Sequence, residues 1–519
     1  MTEAAVRPGR GVVFAFVLST LALCATALGQ GSLEQRVRTA LEKARLGKAS
    51  VGVCVVDVSD GRELVSLSSA GAASPSLIPA SNLKLMTTGA ALVTVGRDFE
   101  FRTRFVVQGD RVVIEGSGDP GLADPALLAQ MKTSVEQFLD SIADSLAAAA
   151  KGPVREIVLD DRVFDREAIH PTWPIDQLNR AYCAPVSGIN FHANILHVFP
   201  APASRAGDPP SVRTEPGAAW IEFDRQRART VREGNTAIWV EHGSSPFRFG
   251  LHGSVRNAPT EPVSVSVKEP ASIFARLLAD RLASRLNCPT PSIRLASPEE
   301  PVASASENST IALVVRTPIS LALQRCNVDS DNLYAESLLK LTGHQVTHQP
   351  GSWANGAAVV RMIVKDRIGP SYAAELAMAD GSGLSRGNRV TPQLLAHWVA
   401  NVASDEQVGD VFVQSLAVAK EEGTVRNRFK NVKLANEVRA KSGYIREVRT
   451  LSGLISAPSE TGSLVPGQQS PRRLAFSILV NEIPPGADQR AKEFHENVVE
   501  VLDDYLVERS RVTAAAGVR

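Results

Sequence analysis

Residues 85–95 form an apolar run at helical spacing, and the chain reaches it from a turn-rich stretch, 71–79, through Ala80-Ser81-Asn82-Leu83-Lys84. The periodicity predicts a helix, and the turns before it set where that helix begins. Ser81 then falls at or next to the helix N-terminus, with Lys84 one turn on along the same face. First-turn N–H groups lack intrahelical acceptors and can face developing negative charge. A lysine three residues on can take a hydroxyl proton. The same pattern also describes an N-cap serine beside a surface lysine. Ser-x-x-Lys therefore gains meaning only from partners elsewhere in the chain.

Upstream, residues 32–46 read as an amphipathic helix, with Ser32 and Gln35 as a capping box and Leu33, Val37, Leu41 and Ala44 on one face. Residues 50–56 and 63–67 flank an Asp60-Gly61 turn and read as a hairpin. Beyond Gly96 the character changes. Short strands such as 102–107, 111–115 and 156–159 alternate with Gly, Pro and Asp turns as far as Val267, with one helix over 124–150. A strand-rich block of that size predicts an inserted domain or two. Helical periodicity returns over 270–286, and 296–309 reads as a surface loop. A buried strand at 311–315 and a helix from Pro318 follow, then helices over 334–341, from Ser352 to Ile368 and from Thr391 to Val402. Three strands (438–444, 449–455, 474–481) and an amphipathic helix over 491–507 close the chain.

At 519 residues the chain is long enough for two or more domains. Net charge is +1, aromatics are 5% and no basic run exists, which argues against a nucleic-acid surface. Arg7 and Arg10 precede an apolar stretch, 12–23, and Ala25-Thr26-Ala27 supplies small residues for cleavage, so 1–29 reads as an export signal. Leu21-Ala22-Leu23-Cys24 resembles a lipoprotein processing box, but Leu23 is bulky for one, which favours simple cleavage over a lipid anchor. No other segment reaches membrane length, so membrane association would be peripheral at most. Cys54, Cys183, Cys288 and Cys326 are scattered without a C-x-x-C, as expected for buried free thiols with at most one long-range bridge. His344-x-x-x-His348 lacks the glutamate of His-Glu-x-x-His, and neither metal nor cofactor is expected.

Two downstream motifs answer the first: Ser330-Asp331-Asn332 and Lys441-Ser442-Gly443. With Ser81-x-x-Lys84 they are, in order, the signatures of penicillin-binding proteins and class A β-lactamases, Ser442 keeping the hydroxyl of the usual threonine. The chain resembles the class C low-molecular-mass penicillin-binding proteins, the D-alanyl-D-alanine carboxypeptidase/endopeptidase family. The matching stretches are Gly116-Ser117-Gly118-Asp119-Pro120, Ala184-Pro185-Val186-Ser187, 330–336, 380–385, and Glu422-Gly423-Thr424 with Arg428, which together span nearly all of the mature chain. That family also interrupts its transpeptidase fold between the first and second motifs. Class A β-lactamases do not, and their Glu-x-x-Leu-Asn element is missing from the sequence. The resemblance implies a transpeptidase-like α/β/α domain with an antiparallel sheet, over 30–96 and 268–512, and a β-rich insertion of one or two domains over 97–267.

It also implies roles. Ser81 would attack the penultimate D-alanine carbonyl of a peptidoglycan stem peptide and form an acyl-enzyme. Lys84 would be the base, neutral through burial and a nearby positive charge, with Lys441 the candidate. Ser330 would sit between Lys84 and the leaving amine and relay the proton. Asn332 would offer its amide to the substrate backbone and touch Lys84, while Asp331 stays structural. Lys441 and Ser442 would hold the terminal carboxylate, and Gly443 would let the substrate lie along the strand edge. The N–H groups of Ser81 and Tyr444 would form the oxyanion hole. Arg386 would meet a carboxylate on the third stem residue, with Trp173 and Asp176 as further lining, and Asp119 reads as turn architecture. β-Lactams would acylate such a site. A β-lactamase or esterase on the same fold, and a wall-binding protein without turnover, are the competing readings.

Overall fold

The computed structural model describes residues 32–69, 75–457 and 472–517. The leader with its arginines and Cys24 lies outside the described residues.

Helix α1 (Leu33–Ala44) starts at Ser32, whose hydroxyl accepts from the Gln35 N–H at 3.2 Å. Strands β1 (Ser50–Asp57) and β2 (Glu63–Ser68) form the expected antiparallel hairpin. A single 3₁₀ turn, Ala80–Asn82, then opens α2 (Leu83–Val95), which is buried from Leu83 through Leu92. Strands β3 (Glu100–Gln108) and β4 (Arg111–Glu115) begin the insertion. The one helix expected over 124–150 is two, α3 (Pro125–Gln130) and α4 (Val135–Ala149). Ser134 and Gln137 form a capping box that starts α4 afresh, and Lys132 takes a φ of 55° in the break.

Strands β5 (Glu156–Asp160), β6 (Ile195–Ala201), β7 (Ser211–Glu215), β8 (Glu222–Thr230), β9 (Ala237–His242), β10 (Arg248–Val255) and β11 (Val263–Ser266) follow. Then come α5 (Pro270–Leu286), β12 (Ser292–Leu295) and β13 (Thr310–Pro318). The order β12-β5-β4-β3-β13 makes a five-stranded sheet, on which Phe274 and Leu278 of α5 pack with Leu139 and Ile142 of α4. The expected boundary at 267 therefore falls inside this packing unit, because α5, β12 and β13 close the insertion's own core. Residues 311–315, expected as a buried strand, are half exposed, because β13 lies at the edge of that sheet. Two three-stranded sheets, β11-β6-β7 and β8-β10-β9, complete the insertion.

The elements that follow include α6 (Ile319–Val328), α7 (Asn332–Thr347), α8 (Trp353–Ile368), α9 (Pro392–Ala403), β14 (Ala417–Val418), β15 (Glu437–Ile445), β16 (Val448–Ser456), β17 (Arg473–Asn481) and α10 (Asp488–Gly517), with short helical turns at Pro370–Ala374 and Gly409–Gln414. Helix α7 starts two residues before the expected Tyr334 and runs beyond Leu341, so His344 is helical and its Nδ1 meets the Gln349 carbonyl at 2.8 Å. No group of His, Cys, Asp or Glu side chains suited to a metal occurs among the described residues. The four cysteines described are free thiols, with Cys54, Cys183 and Cys326 buried.

A six-stranded antiparallel sheet, β14-β15-β16-β17-β1-β2, forms the middle of three layers. Side chains of β1 alternate between two cores. Cys54 and Val56 face α2, α7, α8 and α9, while Val51, Val53 and Val55 face α1 and α10. Helix α2 meets α9 closely at Gly89, where an added Cβ would lie 2.8 Å from Trp398 Nε1. The indole cannot yield, because its N–H donates to the Leu85 carbonyl at 2.9 Å. Gly89→Ala is expected to cost about 1–3 kcal/mol, read as a lower thermal unfolding midpoint.

Candidate active site

The turn that carries Ser81 is pinned to the central sheet by polar side chains. The Asn481 side chain accepts from Ile78 N at 2.8 Å and donates to Ile78 O at 3.0 Å. Thr450 Oγ1 donates to Pro79 O at 2.8 Å, and Asn82 Nδ2 to Ser452 Oγ at 2.6 Å. Neither Pro79 nor Asn82 supplies a side-chain cap to the helix start. The Ser81 hydroxyl is bonded to Lys84.

Lys84 is fully buried. Its Nζ donates to Asn332 Oδ1 at 2.7 Å and to Ser382 O at 3.0 Å, and lies 3.2 Å from Ser81 Oγ. A neutral amine has two N–H groups and one lone pair. In that form, with Asn332 and Ser382 as its two acceptors, the lone pair faces the serine hydroxyl, whereas the ammonium form donates to all three. Burial pulls the Lys84 pKa below the usual lysine value, against the pull of Cys326, Glu336, Asp331 and Asp380. Lys441 falls well below its usual value, from burial first and then from the charge of Lys84. The repulsion expected to act on Lys84 thus shows most in its partner.

Ser330 adopts a left-handed φ of 63°, and its Oγ meets Lys441 Nζ at 2.8 Å. Lys441 also donates to Ser442 O at 2.9 Å. Asn332 opens α7 with its Oδ1 on Lys84 and its Nδ2 donating to Tyr182 O at 2.8 Å. The amide expected to reach substrate is therefore held by the insertion. Asp331 caps α7 through the Tyr334 N–H at 3.4 Å. Behind it, the fully buried Asp124 accepts from Arg325 at 2.9 and 3.2 Å and from the Tyr334 hydroxyl at 2.7 Å. Arg325 also pairs with Asp329 and lies 3.8 Å from Asp331, so one guanidinium holds both flanks of Ser330.

On β15, β14 pairs only with Arg439 and Ala440, which leaves the edge from Lys441 to Ile445 unpaired. Gly443 allows that edge to approach the serine turn, since an added Cβ would lie 3.0 Å from Ser81 N and 2.1 Å from Thr450 Oγ1. Ser442 Oγ lies 2.9 Å from Thr424 Oγ1. Tyr444 is 57% exposed, with the Arg449 guanidinium 3.7 Å over its ring. Arg386 is exposed and donates to Arg446 O at 2.9 Å, beside the β15–β16 turn. Trp173 is buried against Trp353 and donates to Asp380 Oδ2 at 3.0 Å, so it braces the 380–385 loop instead of lining an open subsite. Asp119 accepts from Gly121 N and Thr317 Oγ1 at 2.8 and 2.7 Å, as befits a turn residue.

Thr424, Tyr182, Ser382 and Glu336 also belong to the cluster, beyond the residues the motifs mark. Glu336 lies one turn below Asn332 and is fully buried, accepting from Gly381 N, Ser382 N and Trp353 Nε1 at 2.7, 2.8 and 2.8 Å. It fixes the loop that offers Ser382 O to Lys84. Burial and the Asp380 carboxylate push its pKa up to about 7. Its i,i+4 spacing from Asn332 was a legible signal. The carbonyls of Tyr182 and Ser382 had none.

An antiparallel sheet between two helical layers, with a Ser-x-x-Lys helix start against one strand edge and β-rich insertions, is the penicillin-binding, transpeptidase-like fold. The same architecture is seen in penicillin binding protein 4 (dacB) from Haemophilus influenzae, with a TM-score of 0.69 at 20% identity over 90% of this chain and 99% of that one. The chain belongs to the D-Ala-D-Ala carboxypeptidase 3 (S13) family, which it matches over residues 33–505. It is 29% identical over 466 residues to the D-alanyl-D-alanine carboxypeptidase of Actinomadura sp. (strain R39), covering 86% of this chain and 81% of that protein. With the D-alanyl-D-alanine carboxypeptidase DacB of Haemophilus influenzae it shares 22% identity over 409 residues, 73% of this chain and 78% of the relative.

Proposed function

We propose that the chain is an exported serine D,D-peptidase that cleaves the D-Ala-D-Ala bond of peptidoglycan stem peptides, as a carboxypeptidase, on cross-links, or both. Family membership supports this reading. The observation that carries it is Lys84 Nζ, desolvated and bound to two acceptors, 3.2 Å from Ser81 Oγ.

In this mechanism the substrate adds as a strand along the open edge of β15, and its carboxylate meets Lys441 and Ser442. Lys84 takes the Ser81 proton as the hydroxyl attacks the carbonyl, and the N–H groups of Ser81 and Tyr444 receive the oxyanion. Ser330, bonded to Lys441, relays that proton from Lys84 to the leaving amine, which departs, and water then hydrolyses the acyl-enzyme. Asn332 orients Lys84, and Arg386 meets a carboxylate further along the stem. No cofactor or metal takes part.

The test is fluorescent penicillin labelling of the mature protein, followed over hours beside D-alanine release from a pentapeptide. A lasting covalent label with D-alanine release is the expected result. A label lost within seconds points to a β-lactamase, and no label leaves only a wall-binding role.

Acylation needs neutral Lys84, whose folded pKa lies below its usual value of 10.5. The acylation rate therefore rises with pH through that lowered pKa and levels off before 10.5, whereas an ionised lysine of ordinary pKa gives a rise that continues to 10.5. Stopped-flow acylation across neutral to alkaline pH reads this. In the same window the unfolded chain holds the extra proton, so stability also climbs with pH there.

A further inference from the structure

One face of the inserted sheet β8-β10-β9 is uncovered, and its register sets an ordered row of chemistry on it. His252 pairs with Trp239 on one side and with Arg227 on the other, so the three side chains share that face. In the next row Gly250 stands between Asp224 and Glu241. Because glycine adds no side chain, the face dips there into a concavity of about 850 Å³, lined by Asp224, Arg227, Glu241, Arg248 and His252. The two carboxylates sit on strands flanking the dip, roughly 10 Å apart.

Trp239 is 47% exposed, with one ring face stacked on His252 at 5.4 Å and 10°. His252 Nε2 in turn lies 2.9 Å from Glu241 Oε2, which holds the platform in place. Arg227 and Arg229 are exposed and have no ion pair in the described structure. Beneath the face, Ala228, Val240, Phe249 and Leu251 are buried in the insertion's core, so the surface is backed by rigid packing.

We propose that this face binds the glycan strand of peptidoglycan, an inference that rests on the D,D-peptidase reading above. The apolar face of an amino sugar stacks on Trp239, and its hydroxyl and amide hydrogens donate to Asp224 and Glu241. Carboxylates of the attached peptides meet Arg227 and Arg229. A flat apolar partner would strand the two carboxylates, and a simple anion would be repelled by them. A short stretch of chain also links this sheet to the catalytic cluster. Asn179 Nδ2 donates to the carbonyl of Val240 on β9 at 2.7 Å, and three residues on, the Tyr182 carbonyl accepts from Asn332 at 2.8 Å. At most roughly 11 Å of chain separates those two contacts.

The test is co-sedimentation of the full mature protein with purified sacculi, wild type beside Trp239→Ala and Arg227→Ala/Arg229→Ala. Each variant is expected to bind roughly five- to tenfold more weakly, with an unchanged rate of penicillin acylation. D-Alanine release should fall on sacculi but hold on a soluble pentapeptide. Wild-type binding should survive on glycan strands stripped of their peptides, though reduced. Binding by Trp239→Ala equal to wild type would overturn the proposal. So would loss of all binding on stripped glycan, which would assign wall contact to the peptides, or binding to anionic lipid vesicles in preference to sacculi. Sacculus binding without penicillin labelling would sink the peptidase reading alone, and labelling without sacculus binding would sink this one alone.

Discussion

Ser81→Ala abolishes the covalent penicillin label and leaves the free energy of unfolding within about 1 kcal/mol of wild type. The two halves of that result separate catalysis from capping. The Ser81 hydroxyl is bonded to Lys84, and the helix start takes no side-chain cap from Pro79 or Asn82. Removing the oxygen therefore costs the fold little, while it takes away the hydroxyl bonded to Lys84. Loss of the nucleophile from a comparable constellation costs roughly 10⁶ in rate. A stable variant that still labels would place the nucleophile elsewhere and overturn the roles proposed for Lys84 and Tyr444. Gel fluorescence after penicillin incubation and a thermal melt measure both quantities.

Asp124→Ala is expected to produce the largest loss of stability, about 3–5 kcal/mol. Asp124 does two jobs with two oxygens. Oδ1 caps α3 through the N–H groups of Ala126 and Leu127 at 2.7 and 3.2 Å, and Oδ2 takes the Arg325 guanidinium and the Tyr334 hydroxyl. Alanine leaves a guanidinium only 14% exposed with part of its pairing gone, and a buried hydroxyl without an acceptor. Asp124→Asn keeps the shape and loses the charge, so its cost is smaller. Both variants also loosen Arg325, which flanks Ser330 through Asp329 and Asp331. Penicillin acylation is expected to slow in the order wild type, Asp124→Asn, Asp124→Ala. A destabilised protein that acylates at the wild-type rate would show that this brace serves the fold alone.

Asp124 belongs to the insertion and Arg325 to the catalytic domain, and the two are 201 residues apart. The same is true of Asn332 and Tyr182, 150 residues apart, and of Trp173 and Asp380, 207 apart. The insertion is thus part of the framework that holds the catalytic loops.

Signals that act over a few residues were legible in the chain itself. Apolar spacing located α2, Thr391-Pro392 located the start of α9, the Asp60-Gly61 turn located the β1–β2 hairpin, and Ser352 located the start of α8. The same kind of signal stands at Ser134, whose capping box splits the helix expected over 124–150. The three short motifs and their order sufficed to suggest the family and the residues to watch, because acyl transfer needs a nucleophile, a base and a carboxylate-binding strand in close company. What brings them into company is long-range. The pinning of the Ser81 turn by Asn481 and Thr450, the burial of Lys84 against Ser382 O and the capture of the Asn332 amide by Tyr182 all depend on packing between distant segments. A backbone carbonyl such as Ser382 O or Tyr182 O carries no side-chain identity, so only the tertiary structure decides which one a lysine or an amide meets. For the same reason, residues 270–318 joined the insertion, not the flanking domain: β13 pairs with β3, and that register is set by a sheet assembled from both sides of the insertion.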